Sequence, residues 1–168
     1  MCFTSDPYPR RGSEVTREAI RILGEAGMRP CILTKNGEEA ARDFDLLERY
    51  GGQFGVTMVF DDDRLRLKYE VGAGCTSARY GALFEALRSG IFTWVSVEPV
   101  IDADEAIRVI EVVSSHADLV RIGQLNYMPA PEGRIDWGEF GRRARRTCEE
   151  WGVQYYLKES LRLAMGEL

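Results

Sequence analysis

Phe92-Thr93-Trp94-Val95-Ser96-Val97-Glu98-Pro99 decides the fold. An uncharged, β-prone run breaks off into a carboxylate and a proline. Proline cannot donate to a ladder and disfavours helical geometry in the residue before it. The stretch therefore reads as a buried strand whose exit delivers a polar side chain. Five more stretches share the pattern. Cys2-Phe3-Thr4-Ser5 leaves through Asp6-Pro7, and Pro30-Cys31-Ile32-Leu33-Thr34 ends in Lys35. Phe54-Gly55-Val56-Thr57-Met58-Val59-Phe60 runs into Asp61, and Leu119-Val120-Arg121-Ile122-Gly123 exits toward Asn126. Val153-Gln154-Tyr155-Tyr156-Leu157 ends in Lys158. Such near-continuous apolar runs predict strands buried on both faces.

Helical spacing fills the intervals. Ala19, Ile20, Leu23 and Ala26 predict a helix that Ser13 or Thr16 caps and Gly27 stops. Residues 38–50 predict one helix with Phe44, Leu47 and Tyr50 on one face. Residues 61–75 predict a long loop, its charges marking a lid or wall and not core. Thr76 or Ser77 caps a helix bearing Tyr80, Leu83, Phe84 and Leu87. Asp102 with Glu105, and Asp136 with Glu139, have capping-box spacing before two further helices. A short helix follows Lys158. Strands alternating with helices predict an α/β fold with a parallel sheet and right-handed crossovers, residues 1–168 forming one domain.

Composition narrows the classes. The 168 residues are 45% hydrophobic and 29% charged, with a net charge of -5 and the signs interspersed. That pattern gives no footprint for nucleic acid or acidic lipid. No apolar run approaches the roughly 18 residues of a membrane helix, and no signal-peptide pattern opens the chain. Cys2, Cys31, Cys75 and Cys148 form no C-x-x-C pair and no metal-finger spacing, so reduced thiols in a cytoplasmic protein are expected. His116 is the single histidine, which excludes a zinc site of several histidines. Arg142, Arg143, Arg145 and Arg146 predict a solvated helix face.

In parallel α/β folds, ligands bind beyond the carboxyl ends of the strands. The exits bring Ser5, Asp6, Thr34, Lys35, Thr57, Glu98, Asn126 and Lys158 to one mouth, a pattern that predicts a small-molecule site. Each also has a plain structural use. Asp6 can cap a turn and Glu98 can end a strand. Lys35 after an apolar strand fits a Schiff-base lysine, but by spacing alone a surface position or a carboxylate partner is preferred.

Several blocks occur together in order: Phe3-Thr4-Ser5-Asp6-Pro7-Tyr8, Ile32-Leu33-Thr34-Lys35, Gly55-Val56-Thr57, and Glu70-x-Gly72-Ala73 with Arg79. Thr93-Trp94-Val95-Ser96-Val97-Glu98-Pro99-Val100 and Ile122-Gly123-x-Leu125-Asn126-Tyr127 follow. Together they resemble radical S-adenosylmethionine proteins of the spore photoproduct lyase-like group. The resemblance implies an incomplete TIM-type (β/α) barrel, present from its second strand onward. It also implies S-adenosylmethionine as cofactor. In such enzymes a [4Fe-4S] cluster on a C-x-x-x-C-x-x-C loop cleaves that cofactor reductively to a radical. Ser5, Asp6, Lys35 and Thr57 match the family's cofactor-contacting positions, and Glu98 and Asn126 match positions at the mouth. Glu70 and Arg79 match a structural or ligand-wall pair.

The cluster loop has no counterpart in the sequence, so the resemblance assigns no metal ligands and no catalytic residue. The chain alone is expected not to cleave S-adenosylmethionine. The alternative is a cluster-less, non-enzymatic half-barrel that binds an S-adenosyl ligand or a protein partner. A strand at residues 2–5 with no strand before it would leave an unpaired edge, so self-association or a partner chain is expected there.

Overall fold

The computed structural model describes residues 5–9, 12–124 and 135–167. Five strands form one sheet: β1 (Cys31–Thr34), β2 (Gln53–Thr57), β3 (Phe92–Val97), β4 (Leu119–Ile122) and β5 (Gln154–Leu157). Every neighbouring pair is parallel, and the spatial order is the sequence order. Sequential order with right-handed crossovers puts the connecting helices on one side of the sheet. The result is an arc of a (β/α) barrel, covered by helices outside and open inside.

The helices are α1 (Glu14–Glu25), α2 (Gly37–Ala40), α3 (Phe44–Arg49), α4 (Asp63–Tyr69), α5 (Thr76–Arg88), α6 (Ala103–Val113), α7 (Trp137–Trp151) and α8 (Glu159–Ala164). Ile20, Leu47, Leu83, Ile110, Ala144 and Leu161 bring them onto Ile32, Phe54, Val95, Val120 and Ile122 in one buried cluster. Each buried aliphatic or aromatic side chain there contributes roughly 1.5–3 kcal/mol over its exposed state. None of the described helices is long and apolar enough to cross a membrane.

The expectation of strands buried on both faces is corrected. Ile32, Phe54, Val95 and Val120 are buried on the helix side. On the opposite face Cys31 and Leu33 are half-buried, and Arg121, Gln154 and Tyr156 are exposed. Alternation is the pattern of a sheet with one free side. The central strand β3 hides it, because five of its six residues are buried.

Local expectations divide similarly. The predicted helix over residues 38–50 is three pieces, α2, a 3-10 turn at Ala41–Asp43, and α3. The break sits at Asp43, whose buried carboxylate accepts from Tyr8 Oη at 3.0 Å and Arg17 at 3.0 Å. The predicted loop over residues 61–75 contains α4, and its charges Arg66 and Glu70 are buried. Asp62 caps α4 by accepting from Arg64 N, a start signal hidden in the Asp61-Asp62-Asp63 run. Neither Thr76 nor Ser77 caps α5. The N-cap position is Cys75, and Asp63 Oδ1 accepts from Thr76 N at 3.0 Å instead. Ser13 holds the N-cap position of α1 without a side-chain bond, while Thr16 Oγ1 donates to the Pro7 carbonyl. Asp102 and Asp136 cap α6 and α7 as expected. Of the expected opening strand, only Ser5 lies within the described residues, at an exposed bend.

Candidate functional site

The exit of β1 meets residues 5–9 and the segment after α4 around a cleft of about 400 Å³. Asp6, Tyr8, Lys35, Asn36, Tyr69, Glu70 and Gly72 contribute to its walls. That volume lies in the range of small-molecule sites, roughly 300–1,000 Å³.

Residues 5–9 are sewn to the β1 exit. Asp6 Oδ1 accepts from Thr34 Oγ1 at 2.6 Å and from Tyr8 N at 2.8 Å. Asp6 Oδ2 accepts from Lys35 N at 2.6 Å. Asn36 Nδ2 donates to the Tyr8 carbonyl at 2.9 Å. A carboxylate offers roughly four acceptor sites, so Asp6 keeps about one after these three bonds. Tyr8 anchors the segment from below, its hydroxyl buried on Asp43. Burial first, then the Asp43 charge and hydrogen bond, push that hydroxyl well above its ordinary pKa, so it stays a donor.

Lys35 stands half-exposed at the cleft, its Nζ 2.7 Å from Glu70 Oε1. Glu70 Oε2 pairs with Arg79 Nη1 at 2.8 Å, and both partners are nearly inaccessible, at 4% and 2% side-chain exposure. Arg79 in turn donates to the Thr57 carbonyl at 2.7 Å and the Gly74 carbonyl at 3.0 Å. The chain Lys35–Glu70–Arg79 thus links the β1 exit to the β2 exit through the wall after α4. Glu70 and Arg79, matched by resemblance as a pair, are a pair. Arg79 Nη2 is buried with no hydrogen-bond partner among the described residues.

Asp63 fixes the other end of that wall. It accepts from Arg66 at 2.8 and 2.9 Å and from the Thr76 amide. These bonds, the Arg66 one foremost, hold its carboxyl well below the usual carboxylate range. Glu105 ties the β2 exit to α6 by accepting from Asp61 N and Asp62 N, both at 2.8 Å. Burial works to raise its pKa, but Arg108 and the two amides outweigh it and the net direction is down.

The remaining sequence candidates scatter along the mouth. Thr57 is buried at the β2 exit, and its hydroxyl makes no hydrogen bond among the described residues. Ser5 is exposed beside Asp6. Glu98 is not in the Lys35 cleft. It pairs with Lys158 across β4, above Gly123, where a Cβ would come within 2.8 Å of the Glu98 carboxyl. Asn126 lies outside the described residues. Sequence reasoning missed Tyr8 and Asp43 as the clamp, and it missed Arg121 on the open face. A charge inside Leu119-Val120-Arg121-Ile122 was the available signal for the last.

The described cysteines lie apart, with Cys31 on β1, Cys75 at the start of α5 and Cys148 on α7. Burial pushes the Cys148 thiol up to about 12. Among the described residues, no three His, Cys, Asp or Glu side chains converge to hold a metal ion. They therefore do not fit a [4Fe-4S] cluster. The cleft is different: a half-exposed cation, a carboxylate with acceptor capacity and nearby hydroxyls suit a zwitterionic small molecule.

No protein-family profile and no curated protein sequence matches the chain. Solved structures do match in fold. A domain of pyruvate-formate lyase-activating enzyme from Bacteroides vulgatus ATCC 8482 superposes with a TM-score of 0.65 at 10% identity, covering 86% of this chain and 90% of that one. Streptococcus suis SuiB bound to S-adenosylmethionine matches with a TM-score of 0.53 at 10% identity over 99% of this chain. A second structure of Streptococcus suis SuiB matches similarly, with a TM-score of 0.52 at 10% identity. The chain spans about half of SuiB, 49% and 48% in the two structures.

Proposed function

We propose that this chain is the S-adenosyl-binding portion of a radical S-adenosylmethionine-type barrel, with the ligand's amino-acid end in the Lys35 cleft. The observation that carries the reading is the ion-pair chain Lys35–Glu70–Arg79, which fixes a cation at the β1 exit beside Asp6. An ammonium has three donors, and Glu70 engages one. The other two can meet a carboxylate in the cleft. Asp6 retains an acceptor for an ammonium group, and the hydroxyls of Ser5 and Thr57 can serve a ribose. Glu98 and Asn126 belong to the same proposed mouth by motif. Membership in the spore photoproduct lyase-like group rests on the sequence blocks alone.

The function proposed for the chain's own residues is binding. The described residues here bind, orient and wall off the ligand.

Calorimetry of the full chain with S-adenosylhomocysteine tests this. Saturable binding is expected, weakened roughly tenfold or more in Lys35→Met through loss of a charge-assisted bond. A urea titration of the variant reports whether it is folded. No binding to the wild type, or equal binding by a folded Lys35→Met, overturns the proposal.

A further inference from the structure

The Lys35 cleft lies at one end of the sheet. Three strands away, roughly 14 Å by strand spacing, the same open face carries another cation. Arg121 on β4 sits over two aromatic rings, 5.4 Å from the Trp94 centroid and 5.3 Å from the Tyr156 centroid. Register places Ser96 on β3 and Tyr156 on β5 beside it, so the rings flank it from both neighbouring strands. Arg121 is exposed, and among the described residues it has no carboxylate partner. Glu98, at the exit of the neighbouring strand β3, is engaged by Lys158.

Trp94 adds a second, independent sign. Its indole packs against Gly55, where a Cβ would come within 2.4 Å of the ring. The residue is 8% exposed, and Nε1 is buried with no hydrogen-bond partner among the described residues. Native structures rarely leave a buried donor unpaired, so such an atom marks an acceptor position that the described residues leave unfilled. Ser96, 8% exposed, belongs to the same level of the sheet and brings a hydroxyl.

We propose that Arg121 and Trp94 form a second subsite on the concave face, recognising the carboxylate of a small organic acid with an apolar body. One positive charge flanked by aromatic rings suits a monoanion, because a guanidinium matches a carboxylate through paired N–H donors. The rings of Trp94 and Tyr156 provide apolar surface for the rest of the molecule. Calling that acid the substrate rests on the S-adenosyl reading; the subsite itself does not.

Benzoate is the probe, titrated into the 15N-labelled full chain at constant ionic strength set with chloride. The chain has three tryptophans, and Trp94→Phe assigns the Trp94 indole N–H signal. Benzoate is expected to move that signal saturably. Arg121→Gln is expected to weaken the apparent affinity roughly tenfold or more, with the other two indole signals unmoved. Lys35→Met is expected to leave the benzoate titration unchanged, and Arg121→Gln to leave S-adenosylhomocysteine binding unchanged. An immobile Trp94 signal, an equal response in Arg121→Gln, or loss of the response in Lys35→Met overturns the subsite. Tighter binding of inorganic phosphate than of benzoate overturns the assigned ligand class. Failure of S-adenosylhomocysteine to bind, with the benzoate titration behaving as stated, removes the S-adenosyl reading and leaves the subsite standing.

Discussion

The two ends of the sheet's mouth treat charge in opposite ways. At the β1–β2 end, Glu70 and Arg79 are buried and the charged groups form one chain: Lys35 on Glu70, Glu70 on Arg79, and Arg79 on two backbone carbonyls. At the β3–β5 end, Glu98 and Lys158 pair at the partly exposed rim, and Arg121 stands between aromatic rings with no acid beside it among the described residues. The first arrangement is wired into the fold, so disturbing it disturbs stability. The second is mounted on the fold, so disturbing it should alter recognition and little else.

Four substitutions test that contrast, and the largest effect belongs to the wired end. Arg79→Ala leaves Glu70 buried without its main partner and should cost about 3–5 kcal/mol, read as a lowered urea midpoint. A loss below about 1 kcal/mol would mean that the pair is not structural. Gly55→Ala comes next. The added methyl meets a rigid indole at 2.4–2.7 Å, and overpacking of this kind costs roughly 1–3 kcal/mol. It should also displace the Trp94 indole signal, which ties the open face to the core beneath it.

Asp63→Asn should cost about 1 kcal/mol, the worth of a charged cap, because Asp63 stands in for the missing cap of α5. The sign with pH is fixed by its depressed native pKa, caused first by Arg66 and then by the Thr76 amide. Its contribution is complete above the unfolded value near 3.9 and is lost as pH falls through the lower native value. The difference between wild type and variant in urea should therefore stay flat from about pH 7 to about pH 5 and shrink only below about pH 4. Lys158→Ala should be mildest, within about 1 kcal/mol, since that pair is partly solvated. A larger loss would show that the mounted end is wired too.

Much of the architecture was legible because the strands β1 to β5 announce themselves as apolar runs with polar exits. The exits of β1 and β2 located Lys35 and Thr57 on neighbouring strands, and Asp6, read at the end of the expected opening strand, is bonded to the β1 exit. What escaped has physical causes. The interruption at Asp43 depends on Tyr8 and Arg17, distant in sequence, and no helical periodicity encodes it. Helix α4 escaped because its charges suggested solvent, whereas Arg66 and Glu70 are buried by pairing with Asp63 and with Arg79. The free face of the sheet escaped because β3 is buried on both sides and the edge strands are only four residues long. Glu98 reads as a companion of Lys35 from its exit position, yet it lies on the far side of β2 and pairs with β5's Lys158.

The sequential strand order has a consequence for assembly. Each strand pairs with the one made just before it, so the sheet grows at one edge in the order of synthesis. Contacts between successive βα units span short stretches of chain, which lowers the loop-closure cost of each addition. A chain leaving the ribosome can thus dock one unit at a time, never waiting for its far end to complete a strand pair. Ribosome-stalled chains of increasing length should gain protease resistance in steps spaced by one βα unit, and a single late step would show that the arc closes only as a whole.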